Sequence, residues 1–244
     1  MSHLQQFYVN VDDVGNESFV IRDSEAAHAI RVLRKKVGEE LVAVDGLGMR
    51  YSGPIVEINP NSLRVAIARR EQNVGEPSLN LVLAQAVPRG PHFDWVVEKG
   101  TEVGISAFQP ILTERSIIDP TSRIERWKKK ALAAMKQCGR SKCPQVLQPM
   151  LFAEYLRSIP ADACAFLAHE SLPASADGDL AALLKKSSQA ILFIGPEGGF
   201  TPEEFQMAID KKVLPIRLGP RRLRSETAGL VGAVKLFTAA GDLE

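Results

Sequence analysis

The chain has 244 residues, of which 45% are hydrophobic, so it is long enough to bury a sizeable core in one large domain or two small ones. No apolar run approaches the roughly 18 residues of a membrane-spanning helix, and the first residues lack the basic and hydrophobic parts of a signal peptide. The three cysteines are odd in number and lack C-x-x-C spacing, which argues against a disulfide framework or a zinc site. We therefore expect a soluble, cytoplasmic protein with no membrane and no metal among its partners.

The first 71 residues have the pattern of a small β-rich domain. Short apolar runs between turn signals predict strands over residues 19–21, 40–44, 51–58 and 63–68. One helix interrupts them, with Ser24 as its N-cap, Ile30, Leu33 and Val37 on its apolar side, and Gly38 after its end. Several short strands with one helix favour a compact β-barrel.

A polar stretch over residues 72–78, which contains Gly75 and Pro77, indicates a linker. The second domain then covers residues 79–244. It begins with a near-continuous apolar run typical of a parallel strand that is buried on both faces. Strands and helices alternate from there, which predicts an α/β domain with a parallel sheet and right-handed crossovers. The pattern places strands at 79–87, 107–112, 164–168, 190–194 and 213–218, and helices at 93–103, 123–137 and 227–239.

The formal net charge is only +1, but the charges are segregated along the chain. Between residues 121 and 142, eight basic residues accompany one acidic residue, Glu125. Binding to phosphates requires a local basic face, so this stretch is either a nucleic-acid contact or a solvated helix face. Trp127, on the apolar side of the same helix, is expected in the core. The basic residues are Arg123, Arg126, Lys128, Lys129, Lys130, Lys136, Arg140 and Lys142.

Ligands of open α/β sheets bind beyond the carboxyl ends of the strands. The predicted strands place six positions on that rim, namely Arg89, Arg115, His169, Glu170, Gly195 and the loop 218–224. They are scattered in sequence but are expected to converge in space. His169 and Glu170 either line a pocket there or only cap a strand.

Two loops on this rim carry the strongest signals. The run Gly195-Pro196-Glu197-Gly198-Gly199 has neither a P-loop lysine nor the G-x-G-x-x-G spacing, but its bare backbone lets a flat ligand approach closely. Thr201, Pro202 and Glu204 then predict a capped helix start. The second loop, LGPRRLRSETA over residues 218–228, places three arginines beside a glutamate, which suggests an anionic partner.

Together, GPEGGF and LGPRRLRSETA resemble the signature of the ribosomal RNA small subunit methyltransferase E family, and the likeness extends over essentially the whole chain. The resemblance implies a SPOUT-type parallel sheet with a C-terminal trefoil knot, preceded by a small PUA-like β-barrel that binds RNA. It also implies S-adenosyl-L-methionine as cofactor, methylation of N3 of a uridine in 16S ribosomal RNA, and a homodimer. Either free 16S ribosomal RNA or the assembled small ribosomal subunit is the expected partner.

The resemblance and the chemistry of uracil N3 together assign the site residues. N3 must lose a proton, which leaves negative charge on the flanking carbonyl oxygens, and a positioned arginine stabilises such charge. Arg224 is expected in that role, and Glu226 either orients Arg224 or accepts the proton. Arg140, in a QCGR run that resembles the family's, is the third catalytic candidate; alternatively it binds a helix carbonyl.

The expected cofactor residues are His169, Glu170, Ile194, Gly195, Pro196, Gly198, Gly199, Leu218, Gly219, Leu223, Thr227 and Ala228. The expected RNA-binding residues are His28, Arg31, Arg34, Arg89, Arg115, Arg123 and Lys128, of which the first three lie in an HxxRVLR run that resembles the family's N-terminal domain. Taken without the resemblance, His28 is better explained as a half-buried structural histidine.

Two other classes of protein stay open at this point. A non-catalytic RNA-binding or ribosome-assembly protein would have the β-rich domain and the basic face, but it would not need two glycine-rich loops. A nucleotide-dependent enzyme would have the glycines, but the chain lacks a P-loop lysine. Binding of S-adenosylmethionine rather than ATP would separate both from a methyltransferase.

Overall fold

The computed structural model describes residues 5–116, 120–170, 179–187 and 189–243. These residues form two compact units. The first unit comprises the chain up to Glu76 together with Leu132–Cys143, and the second comprises Pro77–Ala131 together with the chain from Pro144 onward. Residues 132–143 were expected in the second domain. They belong to the first unit because their backbone pairs with it, for example through the amide of Ser141, which donates to the carbonyl of Val74 at 3.0 Å.

The first unit is a mixed sheet with one short helix and residues 132–138 of the longer helix Ile124–Cys138. Its elements are β1 (Gln6–Tyr8), β2 (Ser18–Arg22), α1 (Asp23–Ala27), β3 (Glu40–Val44), β4 (Met49–Asn59), β5 (Ser62–Ala66) and β6 (Arg69–Gln72). The strand order is β1-β3-β4-β5-β2, with β6 paired to β4. Only the β1–β3 pair is parallel among these pairs. Alternate apolar residues of the strands, such as Phe19, Ile21, Leu63 and Val65, face one buried core.

Strand β4 has different neighbours along its length, and its register against β5 shifts between Ile55 and Glu57. Its first half pairs with β3 and β6, and its second half pairs with β5. A shift of this kind bends a strand and increases its local twist. Gly53 lies just before the bend, where a Cβ would stand only 1.9 Å from the carbonyl oxygen of Ala66. The close approach therefore requires glycine.

The helix predicted to follow Ser24 is wrong in its bounds. Helix α1 begins at Asp23, and it continues as a π-helical turn over His28–Val32. Arg34 then adopts a φ of 55°, in the left-handed region, which ends the helical path well before Gly38. Leu33 and Val37 are consequently exposed rather than part of an apolar side.

The second unit has the predicted alternation. It contains β7 (Asn80–Ala86), α2 (His92–Val103), β8 (Ala107–Leu112), the start of α3 (Ile124–Cys138), β9 (Gln145–Val146), β10 (Met150–Leu151), α4 (Phe152–Ser158), β11 (Cys164–Ala168), α5 (Leu180–Leu184), β12 (Gln189–Ile194), α6 (Pro202–Asp210), β13 (Leu214–Ile216) and α7 (Ser225–Ala240). Every strand pair is parallel, in the order β10-β8-β7-β12-β11-β13, with β9 paired to β8. The predicted parallel sheet is confirmed.

Helices cover both faces of this sheet. Phe152 and Leu156 of α4 and Ala208 of α6 share a core with one set of alternate strand residues. On the other face, α7 approaches closely because it carries glycines there. A Cβ on Gly232 would lie 2.7 Å from a methyl carbon of Leu192. A strand buried on both faces explains the near-continuous apolar runs in the sequence.

The end of the second unit is tied to its beginning. The two carboxylate oxygens of Asp242 accept hydrogen bonds from the amides of Ser78 and Leu79, at 2.8 and 2.9 Å. Burial by itself would raise the pKa of Asp242, but these amide hydrogen bonds outweigh it and lower the pKa below its ordinary value. These hydrogen bonds therefore stabilise the fold at pH values above the ordinary aspartate pKa. That contribution is lost as the pH falls through the lowered pKa of Asp242 in the folded protein.

No helix within the described ranges is both long enough and apolar enough to cross a lipid bilayer.

Candidate active site

One pocket of about 670 Å³ opens at the carboxyl ends of β7, β8, β11, β12 and β13. Each of these strands is followed by a loop that forms part of the pocket wall, as expected for an open parallel sheet. The lining residues are Arg89, His92, Arg115, Ala168, His169, Glu170, Ile194, Gly195, Pro196, Glu197, Gly198, Gly199, Phe200, Leu218, Gly219, Arg221, Arg222, Leu223, Arg224, Ser225, Glu226 and Ala228.

The loop that follows β12, here called the glycine loop (residues 195–199), is fixed from two sides. Arg115 donates from its guanidinium to the carbonyl of Gly198 at 2.6 Å. The carboxylate of Glu197 accepts from the backbone amide of Arg89 at 3.0 Å. The helix after the loop starts with the predicted capping box of Thr201 and Glu204, which is confirmed.

Glu204 has a second partner in addition to the capping box. Its other carboxylate oxygen accepts from the backbone amide of Glu114 at 2.8 Å. The side chain is buried, with 6% of the residue exposed. The loop after β8 is thus attached to the start of α6, and this attachment helps to place Arg115 against the glycine loop.

The loop that follows β13, here called the arginine loop (residues 217–224), is anchored at its base. Lys235 of α7 donates to the carbonyl of Arg217 at 2.7 Å. Gly219 adopts a φ of 110°, and a Cβ built there would have no atom within 4 Å. The backbone at Gly219 therefore faces open space in a conformation that side-chain-bearing residues rarely adopt.

Besides Arg217, whose Nε donates to the carbonyl of Gly219 at 3.1 Å, the loop carries three arginines that differ in their partners. Arg222 forms an ion pair with Glu170 at 3.1 Å, where both side chains are mostly exposed. Arg221 and Arg224 line the pocket, and neither guanidinium makes a hydrogen bond or ion pair with the described part of the chain. Arg224 precedes the first residue of α7 without capping it. Two guanidiniums are therefore available to an anionic group in the pocket.

Ser225 directly follows the arginine loop, and its side chain contacts the glycine loop. Its hydroxyl donates to the carbonyl of Gly195 at 2.9 Å, and it accepts from the side-chain amide of Gln85 at 3.0 Å. The same amide also donates to the Ser225 carbonyl. Gln85 is fully buried and Ser225 nearly so. A buried network of this kind holds the glycine loop against the start of α7.

His92 and Glu226 form a further pair on the pocket wall. His92 is the first residue of α2, and Glu226 is the second residue of α7. The ring atom Nδ1 of His92 lies 3.7 Å from a carboxylate oxygen of Glu226. The Glu226 side chain is 13% exposed and the His92 side chain 48% exposed. His92 was not predicted; the only signal for it is its place at the helix start directly after a strand's carboxyl end.

The structure brings most of the predicted site residues together. All the residues expected to hold the cofactor line the pocket except Thr227, and so do Arg89, Arg115, Arg224 and Glu226. Their roles stay predictions. Phe200, Ser225 and His92 also line the pocket, although they were not assigned to it from sequence, and so do Arg221 and Arg222, which were expected there only as part of the loop 218–224.

Arg140 is not a pocket residue, and its expected catalytic role is not supported by its surroundings. Its guanidinium is 3% exposed and donates twice to Glu76, at 2.8 and 3.1 Å. The other oxygen of Glu76 accepts from the backbone amides of Ser141 and Lys142. Both partners lie in the first unit. The geometry is that of a structural ion pair.

We expect Arg140→Ala to lower the free energy of unfolding of the first unit by about 3–5 kcal/mol, because it leaves the Glu76 charge buried without its partner. The half-exposed pair of Arg50 and Glu71, at 2.8 Å, offers a matched control. Arg50→Ala should cost no more than about 1 kcal/mol. Denaturant unfolding measures both. A stable Arg140→Ala protein that has lost only catalysis would contradict the structural assignment.

The basic stretch is largely paired within the protein. Arg126 bonds to Asp94, Lys130 to Glu98 at 3.0 Å and Lys128 to Glu125 at 2.8 Å. Arg123 donates to the carbonyl of Gly90, and Lys136 pairs with Glu25. Trp127 is fully buried and donates to Asp94, so its expected place in the core is confirmed. Most of these cations therefore have partners within the protein, although the side chains of Arg126 and Lys128 stay 63% and 48% exposed. The RNA-binding roles expected of Arg123 and Lys128 stay predictions.

The RNA-binding residues expected in the first unit are differently placed. Arg31 and Arg34 are exposed on the turn that follows α1. The His28 ring is half-buried, packs near Phe7 with ring centroids 6.1 Å apart, and lies 2.7 Å from the side-chain nitrogen of Gln5. The two arginines can reach a ligand from this position, whereas His28 contributes to packing.

Comparison with known proteins gives the class. A family model described as an RNA methyltransferase domain matches residues 75–236, and a model described as an RNA methyltransferase PUA domain matches residues 21–68. The parallel sheet, its pocket and these matches define an RNA methyltransferase with an attached PUA domain.

The relatives narrow this class further. Ribosomal RNA small subunit methyltransferase E from Synechocystis is 33% identical over 211 residues, which are 84% of this chain and 68% of that protein. The protein of the same name from Mycobacterium bovis is 30% identical over 97% of this chain and 93% of its own. A crystal structure of that enzyme from Neisseria gonorrhoeae, bound to S-adenosyl methionine, has 26% identity and a TM-score of 0.85 over 97% of this chain and 98% of that one. The chain belongs to the ribosomal RNA small subunit methyltransferase E family.

Proposed function

We propose that this protein transfers a methyl group from S-adenosylmethionine to N3 of a uridine in 16S ribosomal RNA. One observation carries the proposal: the pocket joins a bare glycine backbone, at Gly199 and Gly219, to the two unengaged guanidiniums of Arg221 and Arg224. The first feature suits a flat, close-lying cofactor, and the second suits a substrate that develops negative charge. The names of the relatives support the choice of cofactor and of RNA.

The pocket fits S-adenosylmethionine in size and in the chemistry of its walls. A cavity of about 670 Å³ lies inside the range of about 300–1,000 Å³ that is usual for small-ligand sites. Ile194, Leu218 and Leu223 offer apolar contacts for a purine ring. No side chain blocks the approach to the backbone at Gly219, whose carbonyl accepts from Nε of Arg217 at 3.1 Å. The bound sulfonium supplies an already activated methyl group, so the protein's task is alignment and preparation of the nucleophile.

We assign the electrostatic part of that task to Arg224. Loss of the N3 proton spreads negative charge over the flanking carbonyl oxygens of uracil, and a planar guanidinium can stabilise that charge. Arg224 sits at the start of α7, held by the Ser225 network, and its side chain is exposed in the pocket. Because N3 lies on the pairing edge of the base, the uridine must be unpaired or extruded when it binds.

Two structural expectations of the family are part of the proposal. Strand β13 is at the edge of the sheet, whereas α7, which follows it, packs against β7 and β12 in the interior of the strand order. This path supports a trefoil knot.

Helices α2 and α7 pack together and leave Trp95, Val231 and Val234 partly exposed, at 43%, 38% and 39%. These apolar residues support a two-fold dimer through that face.

Parallel calorimetry with S-adenosylmethionine and ATP is the first test. We expect binding of the former alone. The second test is methyl transfer to small ribosomal subunits and to free 16S ribosomal RNA, both purified from a strain that lacks the gene. Mass mapping of the product then identifies the nucleotide and the methylated atom. Binding to RNA without any methyl transfer would favour a non-catalytic RNA-binding or assembly protein.

Because most cations of the basic stretch already have partners, we expect RNA phosphates to contact Arg31 and Arg34 more than that stretch. Arg31→Gln combined with Arg34→Gln should weaken RNA binding and reduce the slope of log affinity against log salt by about 1–2, because each lost phosphate contact contributes roughly 0.7–0.9. Lys128→Gln combined with Lys130→Gln is the matched control, because both lysines are already paired with glutamates. It should change the slope less. Fluorescence anisotropy over a salt series measures both, and equal slopes for the two variants would contradict the assignment.

A further inference from the structure

The pocket offers five side chains that can accept a proton: His92, His169, Glu170, Glu197 and Glu226. Three of them are engaged elsewhere. Glu170 pairs with Arg222 at the exposed mouth, and Glu197 accepts from the Arg89 amide. The His169 ring packs against Phe205, with ring centroids 4.6 Å apart. His92 and Glu226 remain.

These two residues lie at different depths in the pocket. Glu226 is the more buried, at 13% exposure, and it lies in the first turn of α7, where free backbone amides stabilise a carboxylate. His92 stands in front of it with 48% of its side chain exposed. The Nδ1 atom faces the carboxylate at 3.7 Å, which leaves Nε2 for another partner. Catalytic hydrogen bonds are often this long before the substrate binds.

We propose that His92 is the residue that accepts the N3 proton of uracil, at Nε2, and that Glu226 positions the ring by accepting from Nδ1–H. The proposal rests on the proposed methyltransferase function, and it makes Glu226 a positioning residue rather than the base or the partner of Arg224. A carboxylate that holds one ring nitrogen as a donor fixes the tautomer in which the other nitrogen carries the lone pair.

The step balances in atoms and charge. The N3–H bond breaks and its proton goes to Nε2 of His92. The electron pair left on N3 forms the new bond to the methyl carbon, while the electron pair of the carbon–sulfur bond returns to sulfur and leaves a neutral thioether. The positive charge of the donor thus ends on the imidazolium of His92. Glu226 stabilises that charge, and Arg224 stabilises the anionic carbonyl oxygens before the methyl group arrives.

The test uses the full chain, methyl-labelled S-adenosylmethionine, and small ribosomal subunits from a strain that lacks the gene. In His92→Ala and His92→Gln we expect the rate of methyl transfer to fall about a hundredfold, the lower range for a general base. The affinities for S-adenosylmethionine and for the subunit should change less than about threefold. Free imidazole should restore part of the rate to His92→Ala, because the vacated position is exposed, but not to His92→Gln. Glu226→Gln should lose about tenfold and should not respond to imidazole.

Glu203→Gln is the matched control for Glu226→Gln, because Glu203 is the second residue of α6, is exposed and does not line the pocket. It should keep the full rate. A second readout needs no substrate: the ring ¹⁵N signals of His92 should report an Nδ1–H tautomer in the parent protein and in Glu203→Gln, and a shifted tautomer balance in Glu226→Gln.

Each outcome decides the proposal. Normal turnover in His92→Ala overturns it, and so does a loss of rate that follows a loss of ligand affinity and does not respond to imidazole. An unchanged tautomer in Glu226→Gln overturns the role given to Glu226. If the parent protein binds S-adenosylmethionine but methylates neither subunits nor RNA, the proposed function itself fails, and the role of His92 falls with it.

Discussion

Replacing Arg224 with alanine is expected to lower methyl transfer by at least about a hundredfold, the scale of losing one preorganised electrostatic partner. The affinity for S-adenosylmethionine should change by less than about tenfold, because the guanidinium acts on the developing charge of the base. Arg224→Lys should recover only part of the rate, since a point charge cannot reproduce the planar fork. Single-turnover transfer to small ribosomal subunits, with calorimetry of the cofactor, separates the two effects.

The control for this prediction is Arg157→Ala. Arg157 is an exposed arginine at the end of α4 and does not line the pocket. Its replacement should leave transfer unchanged. If Arg224→Ala turns over normally, the charge-stabilising group lies elsewhere, and Arg221, the other unengaged guanidinium of the arginine loop, is the next to replace.

The second large effect is expected at Gly219. Gly219→Val should weaken the binding of S-adenosylmethionine by at least about a hundredfold. A side chain there would fill the space that the bare backbone leaves open in the pocket. The φ of 110° adds backbone strain of about 1–3 kcal/mol to any such variant. Calorimetry gives the affinity, and thermal unfolding gives the strain.

Gly241→Val separates these two contributions. Gly241 ends α7 with a φ of 83°, and a Cβ there also has no atom within 4 Å, but the residue does not line the pocket. It should lose a similar amount of stability and keep its affinity for the cofactor. Equal losses of affinity in both variants would mean that strain, not occupation of the pocket, explains the result. Gly195 is a poorer probe, because its Cβ would press on the Phe200 ring at 3.1 Å.

The alternating strands and helices of the second unit were predictable because the apolar periodicity that marks each of them is local in sequence. The strand over Ala107–Leu112 and the strand over Cys164–Ala168 have the predicted bounds, and α3 begins and ends within one residue of prediction. Apolar periodicity and terminal glycines such as Gly139, with a φ of 85°, are readable without knowledge of the fold. Strands β1, β9 and β10 were missed because two or three residues carry no periodicity.

The pocket was predictable in place but not in detail. Loops that leave parallel strands must meet at one edge, so residues from five such loops were brought together correctly. Partners that are distant in sequence were not predictable. Arg140 was named a catalytic candidate without its partner Glu76, which lies 64 residues away, and the basic stretch was interpreted as a nucleic-acid contact or a solvated face without its partners Asp94 and Glu98 on α2. Which cations are neutralised depends on tertiary contacts that one sequence does not display.

The tie between Asp242 and the amides of Ser78 and Leu79 has a topological consequence. The polypeptide enters the second unit and completes its last helix at points joined by two hydrogen bonds. The start and the end of the second unit therefore lie side by side. A short linker could join the start of this unit to its end, with new ends opened in an exposed loop, and every strand would keep its neighbours.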